Sequence, residues 1–186
     1  MALGTGATLY LAKKESLLPG QPLLQLLREK AITHVALPPA VLAVLPKAEL
    51  PALQTIICAG ESCSEDIVKR WASGRRFFNA YGPTEATVWS TVAEINATGE
   101  KPSIGRPIAN TQIYILDKHL QPLPIGIPGE VYISGEGLAR GYLNRPELTE
   151  TRFIQKTEFL PKTRLYKTGD LARYRSDGNI EFIDRI

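Results

Sequence analysis

From Ala7 to Tyr81 the chain alternates short apolar runs with longer stretches of helical spacing, and this alternation restricts the fold more than any other feature. "ATLYLA", "THVALP", "LQTIICA" and "RFFNAY" read as buried strands. Between them, "GQPLLQLLREKA" sets Leu23, Leu24, Leu27 and Ala31 at helical intervals. "SEDIVKRWA" opens with Ser64 as an N-cap and acids in the first turn. Strands joined by helices predict a parallel sheet, because parallel neighbours need a crossover. After about Ala97 the pattern changes. "QIYILD", "GEVYIS", "RLYKTGDLARY" and "NIEFID" read as strands separated by turn clusters such as "PLPIGIPG" and "RSDGN", with one helical signal in "RPELTETRF". The fold expected is α/β over residues 1–97, then a mainly β subdomain over 98–186, with the boundary near "NATGEKPS".

Composition narrows the class of partner. With 44% hydrophobic residues over 186 positions the chain can bury a core. Its net charge is +3, from 22 Lys and Arg against 19 Asp and Glu, and no basic block is present to track a nucleic-acid backbone. The longest apolar run, "VALPPAVLAVLP", is interrupted by Pro38 and Pro39 and falls short of a membrane span. At the N-terminus the lysines follow the apolar stretch, the reverse of a secretory leader. Cys58 and Cys63 are too few for a disulfide framework and lack zinc spacing, so a reducing, cytoplasmic setting is expected.

Three stretches carry chemistry. In "RFFNAYGPTE" an apolar strand runs into a Gly-Pro turn, and ligands of open α/β sheets bind at the carboxyl ends of strands. Thr84 can donate to a phosphate oxygen, Glu85 offers the hard oxygen that Mg²⁺ takes alongside substrate phosphates, and Tyr81 offers a flat face to a base. The same Thr and Glu also suit a plain helix N-terminus. In "YKTGDLARY" the Asp170 carboxylate can accept from two ribose hydroxyls, or can close a hairpin turn. Fifteen positions on, Arg185 brings a fork of donors suited to phosphate, or a solvated strand arginine. "SGEGLARGYLNRPE" has G-x-G-x-x-x-G spacing and no helix opening on it, so it reads as a loop. "GESCS" has Ser64 where a nucleophile elbow needs its second Gly. His34 and His119 stand alone and receive no role, Cys58 reads as a small buried hydrophobe, and Trp71 reads as core.

Taken in order, "NAYGPTE", "GRPIANTQIYILD", "GEVYISGEGLARGYLNRPELTETRF" and "YKTGDLARYRSDGNIEFIDR" resemble the core motifs of the amino-acid-activating adenylation domains of nonribosomal peptide synthetases, within the adenylate-forming superfamily. The resemblance implies part of that superfamily's large N-terminal domain. It implies Tyr81 against adenine with Asn79 at its edge, Thr84 on phosphate, Glu85 on Mg²⁺, Asp170 on the ribose and Arg185 near ribose and phosphate. The reaction implied is attack of an amino-acid carboxylate on the α-phosphate of ATP, releasing pyrophosphate. The acyl group then passes to the phosphopantetheine thiol of a carrier domain, with condensation domains as further partners.

The substrate pocket implied by the resemblance is lined by Ala36, Ile57, Ala59, Ala80, Val88 and Trp89. Strand alternation independently sets Ile57 and Ala59 on one face and Cys58 on the other. Apolar walls predict a hydrophobic or aromatic amino acid, since a charged side chain would lose its hydration without a partner. Trp89 could equally cap a shortened pocket and select a small one. The sequence departs from the family pattern by lacking the Gly- and Ser/Thr-rich triphosphate loop, the aspartate that meets the substrate amino group and the subdomain with the catalytic lysine; Asp184 stands where Gly is common. An internal fragment that is inactive alone is therefore expected. The competing readings are an acyl-CoA or aryl-acid ligase of the superfamily and a noncatalytic remnant.

Overall fold

A computed structural model describes residues 2–96, 99, 101–155 and 163–186. Parts of the "NATGEKPS" boundary stretch therefore lie outside the described residues. The first sheet contains β1 (His34–Leu37), β2 (Thr55–Ala59), β3 (Arg76–Tyr81), β4 (Thr91–Glu94) and the two-residue β5 (Arg106–Pro107), side by side in that order. β1, β2 and β3 are parallel, as expected, but β4 and β5 join antiparallel, so the sheet is mixed. The physical reason is the connection: the one regular element between β3 and β4 is a three-residue turn, Thr84–Ala86, and without a crossover the chain must return antiparallel.

Three helices cover one face of this sheet. α1 (Gln21–Glu29) buries Leu23, Leu24 and Leu27, α2 (Pro39–Val44) buries Leu42, and α3 (Glu65–Trp71) buries Ile67, Val68 and Trp71. They close over Ile56, Cys58 and Phe77 of the strands. The Ser64 side chain caps α3, accepting from the Ile67 N–H at 3.4 Å. Trp71 is 2% exposed, and its indole N–H donates to the Leu42 carbonyl at 2.9 Å. Two readings need correction. "ATLYLA" forms no strand; it pairs with no described neighbour, and Leu9, Tyr10 and Leu11 are exposed. Ala31 lies outside α1, in the following turn at φ 46°. Pro38 and Pro39 read in the sequence as breakers, yet Pro38 is the N-cap of α2 and Pro39 sits in its first turn, where no N–H is missed.

The second sheet is antiparallel, with β10 (Ile180–Arg185), β9 (Leu165–Tyr174), β7 (Gly129–Gly135) and β6 (Thr111–Leu116) in that order, and β8 (Phe153–Ile154) also pairing with β9. α4 (Pro146–Arg152) leads into β8. Ile113, Ile115, Val131, Ile133, Ala172 and Ile180 form its core, joined by Ala86 and Ile104 from outside the sheet. The sheets are stitched where the Ile104 N–H donates to the Ile180 carbonyl and the Ile180 N–H to the Gly105 carbonyl, each at 2.8 Å. Gly105 is required there: its φ is +79°, and a Cβ would lie 1.9 Å from the Val92 carbonyl oxygen.

Candidate functional site

A cleft of about 480 Å³ opens between the two sheets, at the carboxyl end of β3. Its walls include Asn79, Ala80 and Tyr81 of β3 and Thr84 and Glu85 of the turn that follows it, with Asp170, Phe182 and Arg185 from the second sheet. Glu85 and Asp170 thus share one cavity although 85 positions separate them. The plain N-cap alternative fails for Thr84, because the turn over Thr84–Ala86 follows Pro83 and has no side-chain cap. The hairpin-turn alternative fails for Asp170, which lies inside β9 opposite Arg185 of β10.

Around Asp170 the partners are specific. The Tyr81 hydroxyl donates to its Oδ2 at 2.6 Å, and Arg185 Nε lies 3.8 Å from Oδ1. Burial, then the Asp170 charge, pushes the Tyr81 phenol well above its ordinary range, so it stays a proton donor. The Tyr81 and Phe182 rings stand 6.4 Å apart at 39°. Asn79 is buried, and its Nδ2 donates to the Ser103 carbonyl at 2.7 Å. The Arg185 side chain is largely exposed.

Burial pushes the Glu85 carboxyl up, but hydrogen bonding from Tyr142, its own backbone and Tyr166, with the Arg152 charge, outweighs it and holds the group below the usual carboxylate range. It is an anion at neutral pH. Among the described residues no three His, Cys, Asp or Glu side chains gather into a metal cage. The Glu85 carboxylate, one of those lining the cleft, is the kind of donor Mg²⁺ uses when substrate phosphates and water complete its shell.

Residues 1–143 match the model of the AMP-binding enzyme family. The chain belongs to that family. It is 56% identical over its full 186 residues to a linear gramicidin synthase of Brevibacillus parabrevis, of which it covers 4%. It is 51% identical over 185 residues to bacitracin synthase 3 of Bacillus licheniformis, covering 3% of that protein. The chain therefore spans only a few per cent of these curated relatives. A solved four-domain nonribosomal peptide synthetase bound to AMP and glycine superposes with a TM-score of 0.81 at 36% identity, over 89% of this chain and 13% of that one. A nonribosomal peptide synthetase with adenylation and PCP domains gives 0.80 at 29% identity, over 88% and 35%. The fold is part of the large N-terminal domain of the adenylate-forming enzymes, as its motifs imply.

Of the six expected pocket residues of this AMP-binding chain, Ala80 alone lines the cleft. Ala36 pairs with Ile57, and Ala59 with Ala80, across the strands, so these four share the sheet face opposite the helices. On that face Ala36 is exposed and Ile57 half-buried, while Cys58 is fully buried on the helix side. Val88 and Trp89 lie in the loop before β4, Val88 exposed and Trp89 half-buried. The sequence reading missed Tyr142, Tyr166, Lys101 and Phe182. The last three line the cleft, and Lys101 Nζ donates to the Phe182 carbonyl at 2.9 Å. Their signal was local: Tyr166 stands four positions before Asp170, and Tyr142 closes the glycine-rich loop read as plain connection.

Proposed function

We propose that this chain supplies the nucleotide- and amino-acid-binding part of an enzyme that forms an aminoacyl adenylate from ATP and an amino acid, for transfer to the phosphopantetheine thiol of a carrier domain. The observation that carries this reading is the shared cleft: Tyr81 at the end of β3, Glu85 in the turn after it and Asp170 of the second sheet line one nucleotide-sized space. Tyr81, with Asn79 behind it, offers the adenine its ring; Asp170 accepts from the ribose hydroxyls; Thr84 and Arg185 donate toward phosphate. Glu85 would hold Mg²⁺, which when bound neutralises charge on phosphate oxygens.

In this reaction the amino-acid carboxylate oxygen forms a bond to the α-phosphorus while the bond to the pyrophosphate oxygen breaks. No protein nucleophile is needed, and the chain's work is positioning and charge stabilisation. The apolar face of Ala36, Ile57 and Ala59, with Ala80, Val88 and Trp89, supports a hydrophobic or aromatic substrate. Carrier and condensation domains of a larger synthetase are the proposed partners, in the cytoplasm. Among the described residues no helix is long and apolar enough to cross a membrane.

Amino-acid-dependent exchange of labelled pyrophosphate into ATP, measured on the complete domain carrying this sequence, tests the proposal. Exchange with Phe, Leu or Val and none with Asp or Lys is expected, and the isolated 186-residue chain should be inactive. Exchange with aryl or fatty acids in place of amino acids would move the chain to the acid-ligase branch. Inactivity with every acid would make it a remnant.

A further inference from the structure

The loop between β7 and α4 grips the turn that carries Glu85. The Ala139 N–H donates to the Glu85 carbonyl at 2.8 Å, and the Thr87 hydroxyl donates to the Gly137 carbonyl at 2.7 Å. Thr87 itself sits at φ 70°, a conformation a β-branched residue keeps only where its surroundings over-determine it. The loop is in turn fixed from behind. Arg164 donates to the Ala139 and Arg140 carbonyls at 2.7 and 2.8 Å, and the Tyr142 N–H donates to Thr149 Oγ1 of α4 at 2.9 Å.

At the end of this loop the Tyr142 hydroxyl donates to Glu85 Oε1 at 2.5 Å, and the Tyr166 hydroxyl lies 3.4 Å further on. Both rings pack on the buried Phe153, with centroids 5.7 and 5.0 Å away, so neither phenol can swing without disturbing the core. Oε1 of the carboxylate is thereby fixed by a phenol, which sets the plane in which the group faces the cleft.

We propose that Tyr142, backed by Tyr166, is a positioning residue that orients the Glu85 carboxylate for Mg²⁺, so that a loop of the second sheet sets the metal affinity of a ligand carried by the first. This rests on the reading that Glu85 meets the metal. Partners that orient a metal ligand act through geometry, and their loss typically weakens metal binding while leaving the fold in place.

The test uses the complete domain with Tyr142→Phe, which keeps the ring packing and removes only the hydroxyl, beside Glu85→Gln. Mn²⁺ is titrated in the presence of a non-hydrolysable ATP analogue and read by electron paramagnetic resonance. Mn²⁺ affinity should fall roughly tenfold in Tyr142→Phe, and the Mg²⁺ concentration for half-maximal exchange should rise in parallel. Exchange at saturating Mg²⁺ should stay within about twofold of the parent, with the amino-acid KM unchanged. Unchanged Mn²⁺ affinity in Tyr142→Phe, alongside a loss in Glu85→Gln, overturns the proposal and leaves the function standing. Unchanged affinity in both variants removes the metal role of Glu85 as well. If Tyr142→Phe fails to fold, Tyr166→Phe takes its place, with a smaller decrease in Mn²⁺ affinity expected and no change overturning the proposal.

Discussion

The Tyr81 hydroxyl donates to Asp170 across the cleft, so the ring and the carboxylate that the proposed function assigns to adenine and ribose are held as one unit. Under the proposed function, Asp170→Asn removes the charge that ribose hydroxyls and Tyr81 both use, and a charge-assisted hydrogen bond contributes about 1.5–3 kcal/mol. Nucleotide affinity in the complete domain should fall roughly 10- to 100-fold by calorimetry, with the amino-acid KM little changed. Glu181 offers a different check. Burial raises its carboxyl, but Arg173 and Arg175, at 3.2 Å from Oε2, outweigh this and hold it below the usual range. A folded pKa lowered in this way stabilises the protein above the unfolded carboxylate value of about 4.3 and loses that contribution as pH falls through the folded value. Thermal melts from neutral to acid pH should show a shallower acid decline for Glu181→Gln than for the parent. The difference should shrink in high salt, since the arginines are partly exposed.

Elements are held by a few contacts whose loss has a calculable direction. Trp71 anchors α3 against α2 and the strands, so Trp71→Ala should cost about 3–5 kcal/mol in chemical denaturation of the complete domain. Ser64→Ala removes a single long cap bond and should cost only about 0.5–1 kcal/mol. Gly105 joins the two sheets where no side chain fits. A methyl there meets both the left-handed backbone and the Val92 carbonyl, so Gly105→Ala should destabilise by about 3 kcal/mol or more. Because the seam also forms one side of the cleft, nucleotide affinity should drop with it, whereas Ser64→Ala should leave affinity untouched.

At the scale of the molecule, the cleft belongs to neither sheet alone. A ligand bound there should stabilise both together: nucleotide at about 100 times its Kd should add about 2.7 kcal/mol to the complete domain, and Asp170→Asn should reduce that gain at the same concentration. Among the described residues the first sheet carries helices on one face, and the other presents Ala36, Ile57 and Ala59. Parallel strands are ordinarily covered on both faces. The isolated chain should therefore associate in a concentration-dependent way, visible in sedimentation velocity. Much of this was legible in the sequence because it is local: the β1, β2 and β3 runs, the Leu23–Leu24–Leu27 stripe, the Ser64 cap, and the motifs that carry Glu85 and Asp170. Periodicity and capping act over a few residues and leave a mark there. What only the tertiary structure decided is non-local. The return of β4, the absence of a partner strand for "ATLYLA" among the described residues, the meeting of Glu85 with Tyr142 and the tie from Tyr81 to Asp170 each depend on pairing between distant segments. Strand pairing and packing across a cleft are settled by which surfaces meet, and no short window of sequence contains both of them.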